Sequence, residues 1–426
     1  MEEKEQNSYQ VFPGSKKILV VGGGISGMTT AIEAAEVGYE VVLVEKEEYL
    51  GGHAIEMNQY FPKLCPPYCG MEINFRRIKQ NSRIKVLTGT QLKAVEGEEG
   101  NFEVNLITAP RFVNDKCTLC GDCTTVCPEE RKNSFNQDMD FTKAIYLPHD
   151  LAFPALYTID VDACRGESCN KCVEVCNYHA IDLKAKPIET SLEVGSVVYA
   201  TGWKAYDANK LDSLLYGQHP DVITSLMMER LAAPNGPTAG MIQCPSDGRA
   251  PEKIAFVQCA GSRDHNHLAY CSGVCCSASM KQALNLAEVL PDAKISIHYI
   301  DLRVTGRNEA FLNRVEENKS IALLKGKVAS ILKDSDGGLK LMAEDVLSGK
   351  KKIYTADLVV LATGIIPSGI ITDNFSVQSD YETPAELPAG MYLAGCAGKP
   401  LDISASLKQA TGVALKAIAS LKTADK

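Results

Sequence analysis

Residues 17–21 read Lys-Ile-Leu-Val-Val, a continuous apolar run of the kind a strand buried on both faces carries, and the glycines at 22–24 cut it off. A helical stretch over 28–37 follows, and 40–44 returns to a strand, Glu-Val-Val-Leu-Val, ending at Glu45. Further strands are expected at 197–202, 254–258 and 358–364, with helices over 277–289 and 403–415. No segment approaches about 18 uninterrupted apolar residues, so no membrane-spanning helix is expected. Residues 1–10 are acidic and polar, without the basic-then-apolar leader of an export signal, and the expected location is the cytoplasm.

Composition narrows the class. A chain of 426 residues with 45% hydrophobic and 23% charged side chains has room for two or three globular domains. Lys and Arg number 44 against 53 Asp and Glu, giving a net charge of −9, so no basic excess favours a nucleic acid partner. The unusual count is 16 cysteines, grouped too tightly for a disulfide scaffold of this length; in a reducing compartment such groups bind metal more often than each other.

Gly22, Gly24 and Gly27 hold the positions of a G-x-G-x-x-G turn between strand and helix: a tight bend, close approach to a pyrophosphate, and close helix packing. The helix N-terminus then faces the phosphates with free N–H groups, and Glu45 stands where an acid accepts hydrogen bonds from the adenosine ribose. The continuation Glu45-Lys46-Glu47-Glu48-Tyr49-Leu50-Gly51-Gly52-His53 resembles the acid-then-Gly-Gly extension of two-dinucleotide-binding-domain flavoproteins. So do two Ala-Thr-Gly strands, Val197-Val198-Tyr199-Ala200-Thr201-Gly202 and Leu358-Val359-Val360-Leu361-Ala362-Thr363-Gly364, and the late motif Met391-Tyr392-Leu393-Ala394-Gly395-Cys396. The resemblance implies FAD rather than NAD, held by Gly22, Gly24, Ser26, Gly27, Glu45, Lys46, Gly52, His53, Leu92, Thr201, Gly202, Gly395 and Cys396. Most such flavoproteins have Asp where Cys396 stands, so the usual carboxylate contact to the ribitol chain is replaced or absent.

Cys117-x2-Cys120-x2-Cys123-x3-Cys127-Pro128 is the spacing that folds four thiolates around a [4Fe–4S] cube in bacterial ferredoxins, and Cys164-x4-Cys169-x2-Cys172-x3-Cys176 repeats it with a longer first gap. In two-cluster ferredoxins the fourth cysteine of each run serves the other cluster. The expected sets are therefore Cys117, Cys120, Cys123 with Cys176, and Cys164, Cys169, Cys172 with Cys127. Cys-x2-Cys pairs also bind zinc, but a three-plus-one spacing occurring twice beside a flavin motif favours iron–sulfur.

Where a second dinucleotide-binding domain would begin, the strand over 254–258 runs into Cys259-Ala260-Gly261-Ser262-Arg263 instead of a glycine loop. Cys271, Cys275 and Cys276 follow, an irregular set of thiols. Pro245-Ser246-Asp247-Gly248-Arg249, Phe256-Val257-Gln258-Cys259-Ala260-Gly261-Ser262-Arg263-Asp264, Tyr270-Cys271-Ser272-Gly273-Val274-Cys275-Cys276, Tyr299-Ile300-Asp301-Leu302-Arg303 and Gly326-Lys327-Val328-Ala329 are similar to the A subunits of heterodisulfide reductases and their relatives. That resemblance implies that Cys259, Cys271, Cys275 and Cys276 bind a further, non-standard iron–sulfur cluster near the flavin, with Lys281 close to the flavin's reactive nitrogen. On sequence alone Lys281 reads equally as a solvated helix lysine. Members commonly carry a C-terminal ferredoxin module, so a chain ending at Lys426 reads as a short one.

The expected fold is α/β, a two-dinucleotide-binding-domain flavoprotein of the thioredoxin reductase type with an inserted α+β ferredoxin-like domain. The expected parts are a tail (1–15), FAD domain (16–109), ferredoxin insertion (110–186), FAD domain and connection (187–250), a degenerate NAD(P)-binding-like domain bearing the irregular thiols (251–385) and the last FAD segment (386–426). The stretch Phe61-Pro62-Lys63-Leu64-Cys65-Pro66-Pro67-Tyr68-Cys69-Gly70-Met71-Glu72-Ile73-Asn74 resembles the family's quinone-interacting, membrane-bound branch. That branch implies three partners: a homologous flavo-iron–sulfur B subunit, the haem b membrane subunit linked to menaquinone, and adenylylsulfate reductase as the soluble one. It also implies attachment to the inner face of the cytoplasmic membrane through those partners. Cys65 and Cys69 read as a redox dithiol, as extra cluster ligands or as inert thiols in a Pro-rich turn; Cys244 reads as structural. The alternatives are the A subunit of a heterodisulfide-reductase-like complex for cytoplasmic sulfur oxidation, and a stand-alone NAD(P)H-dependent disulfide reductase, which would need the missing second glycine loop.

Overall fold

The computed structural model describes residues 17–304, 308–334, 337–346, 349–377 and 386–423; the tail expected over 1–15 lies outside the described residues. Five parallel strands form the first sheet in the order Met391–Leu393, Ser196–Tyr199, Lys17–Val21, Glu40–Val44, Ile84–Leu87. Side chains alternate across a strand, and here both faces are covered, which is why the strands read as unbroken apolar runs. Ile18, Val20, Val41 and Leu43 face a layer containing the helices Ile25–Glu36 and Ile403–Thr423, whereas Leu19, Val42 and Val44 face Phe102, Val104 and Leu106. The latter belong to an antiparallel sheet of Thr90–Glu98, Asn101–Thr108 and Ile188–Val194.

The architecture occurs a second time. Val222–Thr224, Leu358–Thr363, Lys253–Ala260, Lys294–Tyr299 and Ile321–Lys325 form another five-stranded parallel sheet. The helices Ser225–Ala232, Cys275–Val289 and Glu309–Glu316 cover one face and an antiparallel sheet of Val328–Lys333, Leu339–Asp345 and Lys350–Ala356 the other. The two Ala-Thr-Gly segments occupy equivalent places, each beside the first strand of its sheet.

The ferredoxin-like unit leaves the first domain between Thr108 and Ile188, which face each other across an antiparallel pair. An insertion whose ends are already adjacent leaves the host register undisturbed. The unit's own core is small: Val113, Ile145, Ile159 and Ala180 pack with the cysteines themselves. So small an apolar core supplies little folding energy of its own.

Arg230, 1% exposed, joins all three units. From the helix Ser225–Ala232 its guanidinium donates to Asn136 Oδ1 in the insertion (2.9 Å), to Glu56 O in the first domain (3.0 Å) and to Asn235 Oδ1 (2.8 Å). It also lies 4.4 Å from the Phe135 ring centroid.

Candidate flavin and iron–sulfur sites

One cavity of about 930 Å³ runs from the glycine turn of the first domain to the start of the helix Cys275–Val289 in the second. At its first end the helix Ile25–Glu36 opens at Gly24 with no side-chain cap and no acid in its first turn, leaving orphan N–H groups free for an anion. Gly52 lies against Gly24, where a Cβ on Gly52 would come within 3.0 Å of the Gly24 Cα, and Gly24 and Gly51 form a β-bridge. This pairing is the structural reason for the Gly-Gly extension. Gly27 does not line the cavity: a Cβ there would sit 1.8 Å from the Gly22 carbonyl oxygen, so this glycine lets the helix press onto the turn.

Glu45 is buried, accepting from the Gly23 amide (2.6 Å, Oε2) and the Glu47 amide (2.9 Å, Oε1), and burial pushes its carboxyl upward despite both bonds. It lines the cavity with each oxygen still able to accept once more. Lys46 is exposed at the rim and pairs with Glu47. His53 lies with its ring 4.3 Å from Trp203, bonding the Trp203 carbonyl (3.0 Å) and Glu56 (3.3 Å). Burial opposes its charged form, but the Glu56 carboxylate outweighs it and the imidazole titrates above its usual value. Leu92, Thr201 and Gly202 complete this wall, the Thr201 hydroxyl donating to Gly369 O at 2.6 Å.

Gly395 sits behind the cavity lining with φ +64°, packed on Ser26, its amide donating to Gln409 Oε1 (2.8 Å). Cys396 reaches the lining, but its thiol donates to Leu401 O (3.3 Å) and it is no carboxylate surrogate; Asp402, which lines the same region, carried no signal in the sequence.

At the far end Lys281 is not the solvated helix lysine the sequence allows. Only 4% exposed, its ammonium donates to Gln59 O (2.7 Å) and pairs with Glu229 (2.5 Å), while lining the cavity. Glu229 also accepts from Gln282 and from the Asn58 amide (3.0 Å). Nothing in the sequence pattern singled out Glu229.

The helix expected to begin at 277 begins at Cys275, so Cys275 and Cys276 form its first turn. In the strand–helix–strand unit Lys253–Ala260, Cys275–Val289, Lys294–Tyr299 this is where a dinucleotide's phosphates would lie; thiols stand in place of the glycine loop. Cys259, with φ +58°, Cys271, Cys275 and Cys276 are close enough to perturb one another. The Cys275 thiol, donating to Thr363 O (3.5 Å), lines the flavin-sized cavity and is pushed up to about 12 by burial and the neighbouring thiols. A thiol so firmly protonated is a poor nucleophile, and a metal makes it a ligand thiolate.

In the insertion Cys117, Cys120, Cys123 and Cys176 surround one hollow of about 20 Å³, bringing the fourth cysteine of the second run to the first three of the first. Cys172 is perturbed by Cys164 and Cys127, the converse crossing; burial pushes Cys123 up to about 12 and Cys172 to about 11. Cys169 is half-buried in the same run. Among the described residues no three Cys, His, Asp or Glu side chains close on a single point as around one ion. All-thiol donor sets suit an iron–sulfur cluster, and sets of four also suit zinc. Cys65 is half-buried and Cys69 exposed; Cys244 is buried, with its thiol pushed up to about 12.

Residues 17–109 match the family model of FAD dependent oxidoreductases and residues 109–131 that of 4Fe-4S binding domains. A thioredoxin reductase from T. acidophilum superposes with a TM-score of 0.52 at 14% identity, covering 96% of this chain and 99% of that one, which speaks to the fold alone. Fold and sequence together define a flavoprotein oxidoreductase of thioredoxin reductase architecture with a [4Fe–4S] ferredoxin-like insertion.

The A subunit of the H(2):CoB-CoM heterodisulfide,ferredoxin reductase of Methanothermobacter thermautotrophicus is 36% identical over 94% of this chain. The iron-sulfur A subunit of the CoB–CoM heterodisulfide reductase of Methanocaldococcus jannaschii is 34% identical over 94%. Over nearly its whole length this chain is similar to the A subunits of heterodisulfide reductases. It spans 63% of the length of each of those relatives. No helix among the described residues is long and apolar enough to cross a membrane.

Proposed function

We propose that the chain is an FAD and iron–sulfur electron-transfer subunit of a menaquinone-linked membrane oxidoreductase that exchanges electrons with adenylylsulfate reductase. The observation that carries the redox part is the single cavity touching the glycine turn, Lys281 and Cys275. A flavin exchanges electrons singly or in pairs and an iron–sulfur cluster one at a time, so the two together convert between the regimes. The Gly22–Gly24 turn and the uncapped helix after it would hold the pyrophosphate, and Glu45 the ribose. Lys281, held by Glu229 and the Gln59 carbonyl, presents N–H donors at the wall, which would favour an electron-rich ring that accepts a hydrogen bond over one that does not. Cys259, Cys271, Cys275 and Cys276 would ligate the cluster nearest the flavin; the two crossed sets of the insertion would carry electrons on toward partners.

The segment Phe61 to Asn74, with its paired Cys65 and Cys69, supports the quinone-linked branch, whose partners are a haem b membrane protein and the homologous B subunit. Affinity purification under anaerobic conditions tests this reading. A haem b membrane protein should be retained, and menaquinol analogues should reduce the complex. Retention of a lipoate-binding protein without any membrane partner would instead favour the sulfur-oxidising complex, and NADPH-driven disulfide reduction by the isolated chain would overturn both.

A further inference from the structure

Arg263 has no part in the site as the sequence defines it, yet its guanidinium is built into the irregular thiol set. It follows Cys259 by four residues, takes a left-handed backbone (φ +55°) that a non-glycine residue rarely adopts, and is held there by its amide donating to Tyr270 O (3.0 Å). Nη2 donates to Asp301 Oδ2 at 2.9 Å, while the thiol of Cys276 donates to the backbone carbonyl of the same Asp301 at 3.8 Å. The charge of the guanidinium is felt by both Cys259 and Cys276. One of its nitrogens, Nη1, is buried with no acceptor. A buried donor without an acceptor is uncommon in a folded chain, and this one belongs to a side chain tied to the thiol set through Asp301.

We infer that Arg263 donates a hydrogen bond to the cluster bound by Cys259, Cys271, Cys275 and Cys276, and with its fixed charge raises that cluster's reduction potential. The inference rests on the reading that these thiols bind a cluster. Four thiolates and a cube make an anionic group that becomes more negative by one charge on reduction, so an adjacent permanent cation stabilises the reduced form more than the oxidised one. Arginine suits this role because it stays protonated and its planar fork can serve Asp301 and a sulfur acceptor at once. The cluster beside the cavity is thereby made easier to reduce, which favours electron movement from the flavin to it.

The test is a redox titration of the anaerobically purified, cofactor-loaded protein, followed by electron paramagnetic resonance, for the unsubstituted chain, Arg263→Gln and Arg263→Lys. In the glutamine variant the signal of one cluster should fall at least tenfold in its reduced-to-oxidised ratio at fixed potential, a negative shift of about 59 mV or more for a one-electron couple. The other clusters should be unmoved, and lysine should restore part of the shift. If the glutamine variant loses its iron, the lysine variant is titrated instead: a smaller negative shift there supports the proposal and none overturns it. A glutamine variant with full iron and unshifted potentials also overturns it. The unsubstituted protein separates the underlying reading from the proposal, since iron sufficient for only two cubes would show that the thiol set itself does not bind a cluster.

Discussion

Replacing Arg230 by methionine keeps the length and apolar stem of the side chain but removes every donor of the fork. Asn136 Oδ1, Glu56 O and Asn235 Oδ1 lose the partner they now have at 2.8–3.0 Å, and Asn136 is only 3% exposed. An acceptor left buried and unpaired costs about 1–3 kcal/mol, and the contact with the Phe135 ring adds about 0.5–2 kcal/mol. Relaxation and water entry recover part of this, leaving an expected loss of about 4 kcal/mol. For a cooperative unit of about 150–250 residues that corresponds to roughly 8–16 °C in Tm. Circular dichroism melts of the anaerobic, cofactor-loaded protein read the shift directly. Arg230→Lys, which keeps charge without the fork, should recover less than half. Because the three acceptors lie in different units, the melt of the methionine variant should also broaden or split. A shift below about 2 °C with an unchanged single transition would refute the view that this side chain ties the units together.

Gly27→Ala places a methyl 1.8 Å from the Gly22 carbonyl and should lower flavin retention and cost about 1–3 kcal/mol, whereas Gly412→Ala, in the exposed interior of the last helix with open space around it, should add about 0.5–1 kcal/mol. Crossed ligation means that Cys176→Ala should abolish the same paramagnetic signal as Cys117→Ala, and Cys127→Ala the same one as Cys164→Ala; a pairing by run rather than across runs would contradict it. His149 is buried, and burial followed by the Arg230 charge pulls its imidazole down to about 4. Its folded value lies below its unfolded value, so its contribution is full above about pH 6.5 and is lost as pH falls toward about 4, reaching a loss of roughly 2 kcal/mol at pH 5. A melt series from pH 7 to pH 5 should therefore be flatter for His149→Asn than for the unsubstituted chain, and parallel slopes would count against the assignment.

Much of the fold was legible because its signals are local or spaced at fixed intervals. The glycine turn between Lys17–Val21 and Ile25–Glu36 needs only neighbouring residues, and the unbroken apolar strands follow from a sheet covered on both faces. The crossed cysteine sets came from spacing, and the hollow around Cys117, Cys120, Cys123 and Cys176 has that composition. What could not be read was pairing at long range. Glu229 and Arg230 sit side by side in an amphipathic helix and look like a solvated pair, yet one neutralises Lys281 and the other bonds Asn136 in the insertion. Only tertiary packing decides that their helix turns them inward. Lys281 itself could be assigned to neither solvent nor site until its partner was seen. Arg263 carried no spacing signal; its left-handed backbone and its unpartnered nitrogen exist only in three dimensions.

The most direct measurement is chemical analysis of the anaerobically purified chain for flavin, iron, acid-labile sulfide and zinc. On the proposed function the chain carries one FAD with about twelve irons and as many sulfides. Stoichiometric zinc, or iron for fewer than two cubes with no bound flavin, would contradict the account at its base.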